Sequence, residues 1–341
     1  MAYRRTTRRR LCILAGLALA LVFSMALDVS LGPAGLSLPE VARAILMPSS
    51  VPDQMAVVLW QIRMPVAVMA VVVGAALSVA GAQMQTILNN PLASPFTLGI
   101  SAAASFGAAL VLAFGVAIIP VALDYVVPLN AFIMAMLASL LIHGLTMRRG
   151  VSVQTVVLLG IALVFSFNAA LALVQYLASA EALAAVIFWT MGSLGKASWP
   201  KVALVLALLV LILPIFARRA WALTAMRLGD DRAASFGINV ARLRLETLLL
   251  VSLLAAIPVA FVGTIGFVGL VGPHIARLLI GEDQRFFLPA SALSGSLLLS
   301  ASSVAGKMLL PGAILPIGIV TSLVGIPFFF SLILSNAKRP W

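Results

Sequence analysis

Two segments of the chain combine helix-breaking residues with long apolar runs. The first, 263–285, places glycine at every third position and then proline and basic side chains: Gly263, Gly266, Gly269, Gly272, Pro273, His274 and Arg277. Glycine at this spacing lets another backbone approach a helix, and proline bends or ends one. The second, 89–95 (NNPLASP), interrupts another run. Because broken membrane helices are tolerated only when buried in protein or lining a cavity, both segments indicate translocation rather than anchoring.

The remaining reactive residues do not form a catalytic set. His143 and His274 are both expected to be structural, since no acidic residue neighbours His274 to orient it. The chain lacks HExxH, G-x-S-x-G and Walker A motifs, and the segments GSLGKA (192–197) and AGKM (305–308) miss the Walker spacing. The single cysteine, Cys12, excludes an intrachain disulfide and a multi-cysteine metal site. We therefore predict no catalytic residue, no metal site and no cofactor bound by this chain.

The composition is that of a polytopic membrane protein. Of 341 residues, 63% are hydrophobic and 9% are charged, whereas soluble domains have about 25% charged residues. A spanning helix needs about 20 apolar residues, and apolar runs lie at 11–31, 63–88, 97–119, 127–147, 152–178, 200–217, 246–266, 268–281, 287–306 and 315–335. The sequence predicts an all-α protein with about ten spans, in one transmembrane domain over residues 1–341.

The net charge of +12 reports membrane topology rather than nucleic-acid binding. With the N-terminus inside, seventeen of the 22 basic residues fall on the inner side, whereas the ten acidic residues divide equally. This is the positive-inside pattern, so both termini are predicted to be cytoplasmic and the first span is retained. None of the acidic residues falls at mid-membrane on this topology, which disfavours a proton-coupled carrier.

Two hydrophilic segments lie outside the predicted spans. Segment 32–60 falls on the outer side and contains a helix signal, with Ser37 as cap and Glu40 three residues later. Segment 218–245 falls on the inner side, is amphipathic, and is interrupted at Gly229 and Gly237, which predicts two short helices joined by a turn. It is either a docking surface for a soluble partner or an ordinary solvated loop.

A weak internal repeat is also visible. Gly81 and Pro91 are ten residues apart, as are Gly263 and Pro273, and each pair closes a long apolar run. On the predicted topology the two copies run in opposite directions, as the inverted repeats of transporters do. Coincidence explains so short a match equally well.

The chain resembles the FecCD family of ABC importer permeases, which includes vitamin B12, haem and ferric-siderophore importers. The resemblance covers nearly the whole chain and rests on WQIRMP (60–65), VGAALSVAGAQMQTILNNPLASPFTLGIS (73–101), FWTMGSLGKASW (188–199), LGDDRAASFGI (228–238), IGFVGLVGPHIARLLIGEDQRFFLPASALSG (265–295) and LPIGIVTSLVGIPFFFSLIL (315–334). It implies the type II importer fold of ten helices per subunit, in the bacterial inner membrane.

The resemblance also implies partners. A second copy of the permease or a paralogue would complete the pathway at the subunit interface. Two ATP-binding subunits, which carry the ATP and Mg²⁺, would dock inside, and a periplasmic substrate-binding protein would dock outside.

Residue roles are carried over by motif. The hairpin matches the segment that couples to the ATPase, through Leu228, Gly229, Asp230, Ala233 and Gly237. Two loops match a cytoplasmic gate, through Asn90, Pro91, Leu92, Ser152, Val153 and Gln154. Arg63 and Lys307 match the docking positions for the binding protein.

The docking positions depart most from the family pattern. Val66 replaces a second arginine, Ser303 replaces an aspartate, Ile314 replaces an acidic residue, and Lys307 itself replaces an arginine. Lysine lacks the bidentate fork of arginine, so either a binding protein with a different surface chemistry or a divergent subgroup of the family is expected.

The cargo is predicted from family frequency alone. Ferric siderophores are favoured because such systems are the most numerous in the family, and haem and cobalamin are the alternatives. Two hypotheses of other classes are an ATP-independent carrier, which would work without a soluble ATPase, and a membrane enzyme whose activity would depend on His274.

Overall fold

The protein is described by a computed structural model that covers residues 2–32, 37–47, 52–119, 121–146, 153–309 and 315–336. Every regular element in these ranges is helical. The elements are α1 (Ala2–Ser30), α2 (Leu38–Leu46), α3 (Asp53–Val57), a π-helical segment (Val58–Arg63), α4 (Met64–Ile87), α5 (Ile100–Phe114), α6 (Leu123–Thr146), α7 (Val153–Leu177), α8 (Ala180–Thr190), α9 (Trp199–Arg218), α10 (Ala220–Met226), α11 (Asp230–Ser235), α12 (Val240–Val262), α13 (Val268–Ile280), α14 (Gln284–Met308) and α15 (Ile317–Asn336).

The all-α polytopic fold predicted from the sequence is confirmed. Each of the ten predicted runs overlaps a helix, namely α1, α4, α5, α6, α7, α9, α12, α13, α14 or α15. Seven helical segments of the described chain are long and apolar enough to cross a membrane, and four shorter apolar helices accompany them. One of the shorter helices, α8, is missing from the prediction because its 11 residues fall below the length of a spanning run.

Glycines set the length of α5. The apolar run predicts a helix over 97–119, but α5 has only 15 residues. Gly99 and Gly115, on either side of it, have φ angles of 80° and 67°, a left-handed conformation that ends helices. The same arrangement thus occurs twice. The long helix α4 is followed by a break and the short helix α5, and the long helix α12 is followed by a break and the short helix α13.

Helix α4 lies at the centre of the bundle. In the most apolar stretch of the segment Asp53–Ile87, 72% of the residues are buried, against 11% for α7. Helix α4 packs against α12, α13 and α14. A Cβ atom on Gly81 would lie 2.8 Å from the Cα of Gly269 in α13, and one on Gly74 would lie 2.9 Å from the Cα of Ser296 in α14. Only glycine allows backbones this close.

Serine hydroxyls join the same helices through hydrogen bonds. Ser78 of α4 donates to the carbonyl oxygen of Ser291 in α14 at 2.6 Å. Ser296 of α14 donates to the carbonyl oxygen of Val71 in α4 at 2.8 Å. Interhelical bonds of this kind in membranes contribute on average about 0.6 kcal/mol each. Together with the glycine contacts they fix α4 within the bundle.

The four glycines of 263–272 do not share one helix face, contrary to the expectation from their spacing. Gly263 ends α12 with a φ of 75°, and Gly266 lies in the break, whereas Gly269 and Gly272 belong to α13. The break therefore precedes Pro273, which lies inside α13 and does not end it.

The packing explains why α13 continues through Pro273. Proline lacks the N–H that would pair with the carbonyl of Gly269, four residues earlier. That carbonyl oxygen faces Gly81 of α4, where there is no side chain to clash with it. The proline is thus accommodated at the closest contact between α4 and α13.

The predicted cap of α2 is confirmed. The backbone N–H of Ser37 donates to the Glu40 carboxylate at 2.8 Å, and the N–H of Glu40 donates to Ser37 Oγ at 3.4 Å. These are the two reciprocal bonds of a capping box. Hydrogen bonds from the Ser37 side chain and backbone also lower the pKa of Glu40.

We predict that Gly81→Ala destabilises the protein, because the added methyl group forces α4 and α13 apart. Overpacking of this kind costs about 1–3 kcal/mol, which lowers the midpoint of thermal unfolding in detergent. Gly144→Ala in α6 is the matched control, since no atom lies within 4 Å of its added Cβ. Equal midpoints for the two variants would contradict the packing of α4.

Candidate coupling and gating site

The hairpin predicted for 218–245 is formed by α10 and α11. Gly229, with a φ of 96°, makes the turn between them, and Gly237, with a φ of 81°, follows α11. A side chain at either glycine would meet no atom within 4 Å. Ala233 of α11 is fully buried within the protein. The turn geometry predicted from the two glycines is confirmed.

The hairpin exposes apolar side chains on an otherwise charged segment. Trp221 is 66% exposed, Leu228 is 52% exposed and Phe236 is 53% exposed. The rings of Trp221 and Phe236 lie 6.2 Å apart between centroids. Exposed apolar clusters rimmed by polar residues mark interaction sites. This surface, defined by the three side chains, is called the hairpin surface below.

The first predicted gate is a compact loop after α4, which we call the gate loop (88–99). Asn90 organises it, since its side-chain oxygen accepts the N–H of Leu92 at 2.9 Å and its carbonyl accepts the N–H of Ala93 at 3.2 Å. Such turns let an asparagine side chain replace a backbone acceptor. Pro91 lies within this turn, and Leu92 is 45% exposed. Leu92 is therefore an exposed side chain on a turn that is held by hydrogen bonds to Asn90.

The gate loop meets α7, the helix that carries the second predicted gate. A Cβ on Gly160 of α7 would lie 2.9 Å from the Cα of Leu98 and 3.0 Å from the carbonyl oxygen of Thr97. Of the second gate, Ser152 lies outside the described residues, and Val153 and Gln154 begin α7. Gln154 is exposed. The two predicted gates thus belong to neighbouring elements.

The gate loop also faces the break between α12 and α13. Pro95 and Phe96 line one side of a small cavity, and Phe267 and Gly269 line the other. Phe267 has a φ of 65°, which is rare for a bulky residue. Its ring packs against Gly325 of α15 and fills the space that a side chain at that position would occupy. The two segments singled out from the sequence therefore meet in space.

A charged cluster connects the hairpin to α13. Arg227, directly after α10, donates through Nε to Glu282 Oε2 at 3.2 Å and forms an ion pair with Oε1 through Nη2. Arg277 of α13 pairs with the same carboxylate, Nε to Oε1, at 2.9 Å. Arg277 also donates to the side-chain oxygen of Gln85 in α4 at 2.7 Å. One carboxylate thus holds two arginines from different elements.

Asp230, at the start of α11, is held by α12. Arg244 donates from Nη2 to both carboxylate oxygens of Asp230 at 2.8 Å. The Arg244 side chain is 16% exposed and that of Asp230 is 52% exposed. Charge-assisted contacts of this kind are among the stronger hydrogen bonds. Asp230, predicted to contact a partner, is thus oriented from inside the protein.

The neighbouring carboxylate of Asp283 joins α1 to this region. It accepts from Arg285 Nη2 at 2.7 Å and from Arg10 Nη1 at 3.3 Å. Hydrogen bonding from Arg285 is the main cause that lowers the pKa of Asp283. The carboxylate therefore stays ionised as the cap of α14.

The two predicted docking residues have partners inside the protein. Arg63 is 6% exposed, and its Nη1 donates to the carbonyls of Val29 and Ser30 at 2.9 Å each. Lys307 Nζ lies 3.0 Å from Asp28 Oδ1. Both side chains hold the end of α1, and cations at that end also favour the helix dipole. Their docking role stays a prediction.

His274 packs against an aromatic ring, and its predicted structural role stays a prediction. Its ring meets the ring of Phe328 in α15 edge-on, with 5.7 Å between centroids. No group of three or more metal-ligating side chains occurs in the part of the chain that the structure describes.

Sequence reasoning missed the residues that tie the hairpin to the bundle. Arg227 and Arg244 count only toward the charge bias that predicts membrane topology, Arg277 is noted only as part of the glycine-rich segment, and Glu282 has no predicted role. Arg227 immediately precedes the LGDDRAASFGI motif and Arg244 follows it by six residues. That flanking position is the signal that marks them as candidates for holding the hairpin.

Similar proteins match this chain from end to end. The hemin transport system permease of Yersinia pestis is 34% identical over 95% of this chain and 97% of its own length. The vitamin B12 import system permease of Serratia proteamaculans is 35% identical over 96% of this chain and 93% of its own. A solved structure described as an inward-facing, metal-chelate type ABC transporter is 29% identical, with a TM-score of 0.84 over 95% of this chain and 99% of that one.

The family assignment rests on the same span of the chain. The sequence model of the FecCD transport family matches residues 17–335, which include the gate loop, the hairpin and the glycine-rich break. Its helical fold is that of the type II ABC importer permeases. The chain belongs to the FecCD transport family.

Proposed function

We propose that this chain is the permease subunit of an ATP-driven importer that moves a ferric siderophore from a periplasmic binding protein into the cytoplasm. Two ATP-binding subunits bind ATP and Mg²⁺ and dock on the hairpin surface. Their movement opens and closes the gate formed by the gate loop and the start of α7. The observation that carries the proposal is the connection of the hairpin to α4, the helix that leads into the gate loop, through Arg227, Glu282, Arg277 and Gln85.

The hairpin surface suits a soluble partner. Leu228 and Phe236 are more than half exposed, and Asp230 is presented beside them by Arg244. An exposed aromatic and aliphatic cluster with an oriented charge is the composition of protein interfaces. The charge of Asp230 would contribute more to the orientation of the docked partner than to its affinity.

Helix α7 supports a second copy of the permease. Only 11% of its most apolar stretch is buried, although it carries the exposed polar residues Ser166 and Asn168, and Tyr176 is 86% exposed. Polar side chains within spanning segments face a bundle interior or a water-filled cavity rather than lipid. A homodimer, or a heterodimer with a paralogue, that encloses a pathway along α7 satisfies this rule.

The cargo follows from the relatives as a class. Relatives of nearly equal identity carry names for hemin and vitamin B12, and a similar structure is of the metal-chelate type. Haem and cobalamin are therefore the second candidates beside ferric siderophores. An ATP-independent carrier would leave the hairpin surface without a purpose.

Uptake by cells tests the cargo. Cells that lack this chain are grown under iron limitation and given labelled ferric siderophores, hemin or cobalamin. We expect loss of uptake for one ferric siderophore, restored by the intact chain. Loss confined to hemin or to cobalamin would replace the siderophore with that cargo, and no loss for any probe would contradict this class of substrate.

We predict that Gly237→Trp uncouples or dissociates the ATP-binding subunits. Position 237 has a positive φ and open space around it, so the indole projects from the hairpin beside Phe236. The measurement is cargo-stimulated ATP hydrolysis together with co-purification of the ATP-binding subunit.

The matched control is Gly237→Ala. It introduces the same unfavourable left-handed conformation, at a cost of about 1–2 kcal/mol, without the bulk. We expect most of the stimulation to survive in it. Full stimulation in the tryptophan variant would count against docking at the hairpin, and equal loss in both variants would assign the effect to backbone strain.

A further inference from the structure

The end of α4 is capped from outside the helix. The last four carbonyls of a helix have no partner within it. The carbonyl of Gln85 accepts the N–H of Asn90 at 3.1 Å and Arg227 Nη1 at 3.4 Å. The carbonyl of Ile87, the last residue of α4, accepts Arg244 Nε at 3.0 Å. Two guanidinium groups therefore bind the end of the helix that leads into the gate loop.

Both arginines also hold the hairpin. Arg227 is the residue that follows α10, so its backbone belongs to the hairpin while its side chain reaches α4. Arg244 binds Asp230, the first residue of α11, with Nη2 while its Nε binds α4. Each half of the hairpin is thus hydrogen-bonded to the end of α4 through one arginine, in addition to the packing of α10 against α4.

The planar guanidinium is suited to this double contact. Its donors lie in a rigid fork, so Arg244 fixes the distance between the Asp230 carboxylate and the Ile87 carbonyl. The side chains of Arg227 and Arg244 are only 17% and 16% exposed, and little water competes for these contacts. The cations also interact favourably with the C-terminal end of the α4 dipole.

The gate loop begins at once beyond these contacts. The chain turns at Asn89, which has a φ of 42°, and the next residue, Asn90, is bonded back to Gln85. Asn90 in turn holds Leu92 through its side chain. A displacement of the end of α4 therefore displaces the gate residues without an intervening flexible segment.

We propose that Arg227 and Arg244 are the positioning residues through which movement of the hairpin reaches the gate loop. This inference rests on the proposed function, since it concerns how the ATP-driven step acts on the gate. Arg277 supports the same link from α13, through Glu282 and the side chain of Gln85.

The test separates transport from ATP hydrolysis. The complete importer is reconstituted in proteoliposomes with Arg227→Leu or Arg244→Leu, and both labelled cargo taken up and ATP hydrolysed are measured. The probes are the ferric siderophores, hemin and cobalamin of the uptake panel. We expect cargo moved per ATP to fall about tenfold, a normal size for coupling between sites. ATP hydrolysis and co-purification of the ATP-binding subunit should persist in Arg227→Leu, because Trp221, Leu228, Phe236 and the Arg244–Asp230 pair are unchanged. Arg244→Leu also releases Asp230, so co-purification is measured for it alongside Arg244→Lys, which keeps a cation beside that carboxylate.

Arg242→Leu is the matched control on the same helix. Arg242 bonds to Glu246 in the next turn and is 77% exposed. It should leave cargo moved per ATP at the wild-type value. Arg244→Lys is the second variant, in which one ammonium group keeps the charge but cannot make the forked contact. It should fold and show a ratio between those of the wild type and Arg244→Leu.

The outcomes are distinct. An unchanged ratio in Arg227→Leu and Arg244→Leu, or an equal fall in Arg242→Leu, would overturn the inference. If Arg244→Lys moved as much cargo per ATP as the wild type, the forked guanidinium contact of Arg244 would not be needed, and that part of the inference would be overturned. Absence of ATP-dependent uptake in the wild-type complex would instead contradict the proposed function.

Discussion

Backbone carbonyls at the end of a membrane helix must find donors, and the end of α4 depends on this constraint more than any other part of the protein. Gln85 and Ile87 are buried within the protein, so an unpaired carbonyl at either residue is costly. Arg227 and Arg244 supply the donors for Gln85 and Ile87. Because these arginines belong to or bind the hairpin, satisfying the helix end also joins the hairpin to the gate loop. A local requirement of hydrogen bonding thus becomes a mechanical connection.

The rest of α4 is closely packed against its neighbours. Gly81 and Gly74 bring the backbones of α13 and α14 into contact with it, and Ser78 adds a hydrogen bond to α14. Close-packed interfaces shift between discrete arrangements rather than deforming continuously. On the proposed mechanism, this packing favours passing a displacement of the end of α4 on to the gate loop or to α13 rather than bending the helix.

The sequence predicts the elements better than the contacts between them. Hydropathy and length predict ten of the helices, and Gly229 and Gly237 predict the hairpin, because these features act within a few residues. The sequence does not show that α13 continues through Pro273, because the packing of the Gly269 carbonyl against Gly81 is a contact between distant segments. The arginine contacts with α4 join residues more than 140 positions apart, and no local pattern encodes them. Arg63 and Lys307 show the same limit, because their partners lie at the distant end of α1.

The most direct test of the account is whether the hairpin and the gate loop move together. Spin labels are placed at Leu92 and Ala234, both exposed, in the complete importer carrying Cys12→Ser. Distances are measured by pulsed electron paramagnetic resonance without nucleotide and with ATP trapped. The account predicts an unchanged distance between Leu92 and Ala234 within one copy, and a changed distance between the Leu92 positions of the two copies. A changed distance within one copy, with the Leu92 positions fixed, would contradict it.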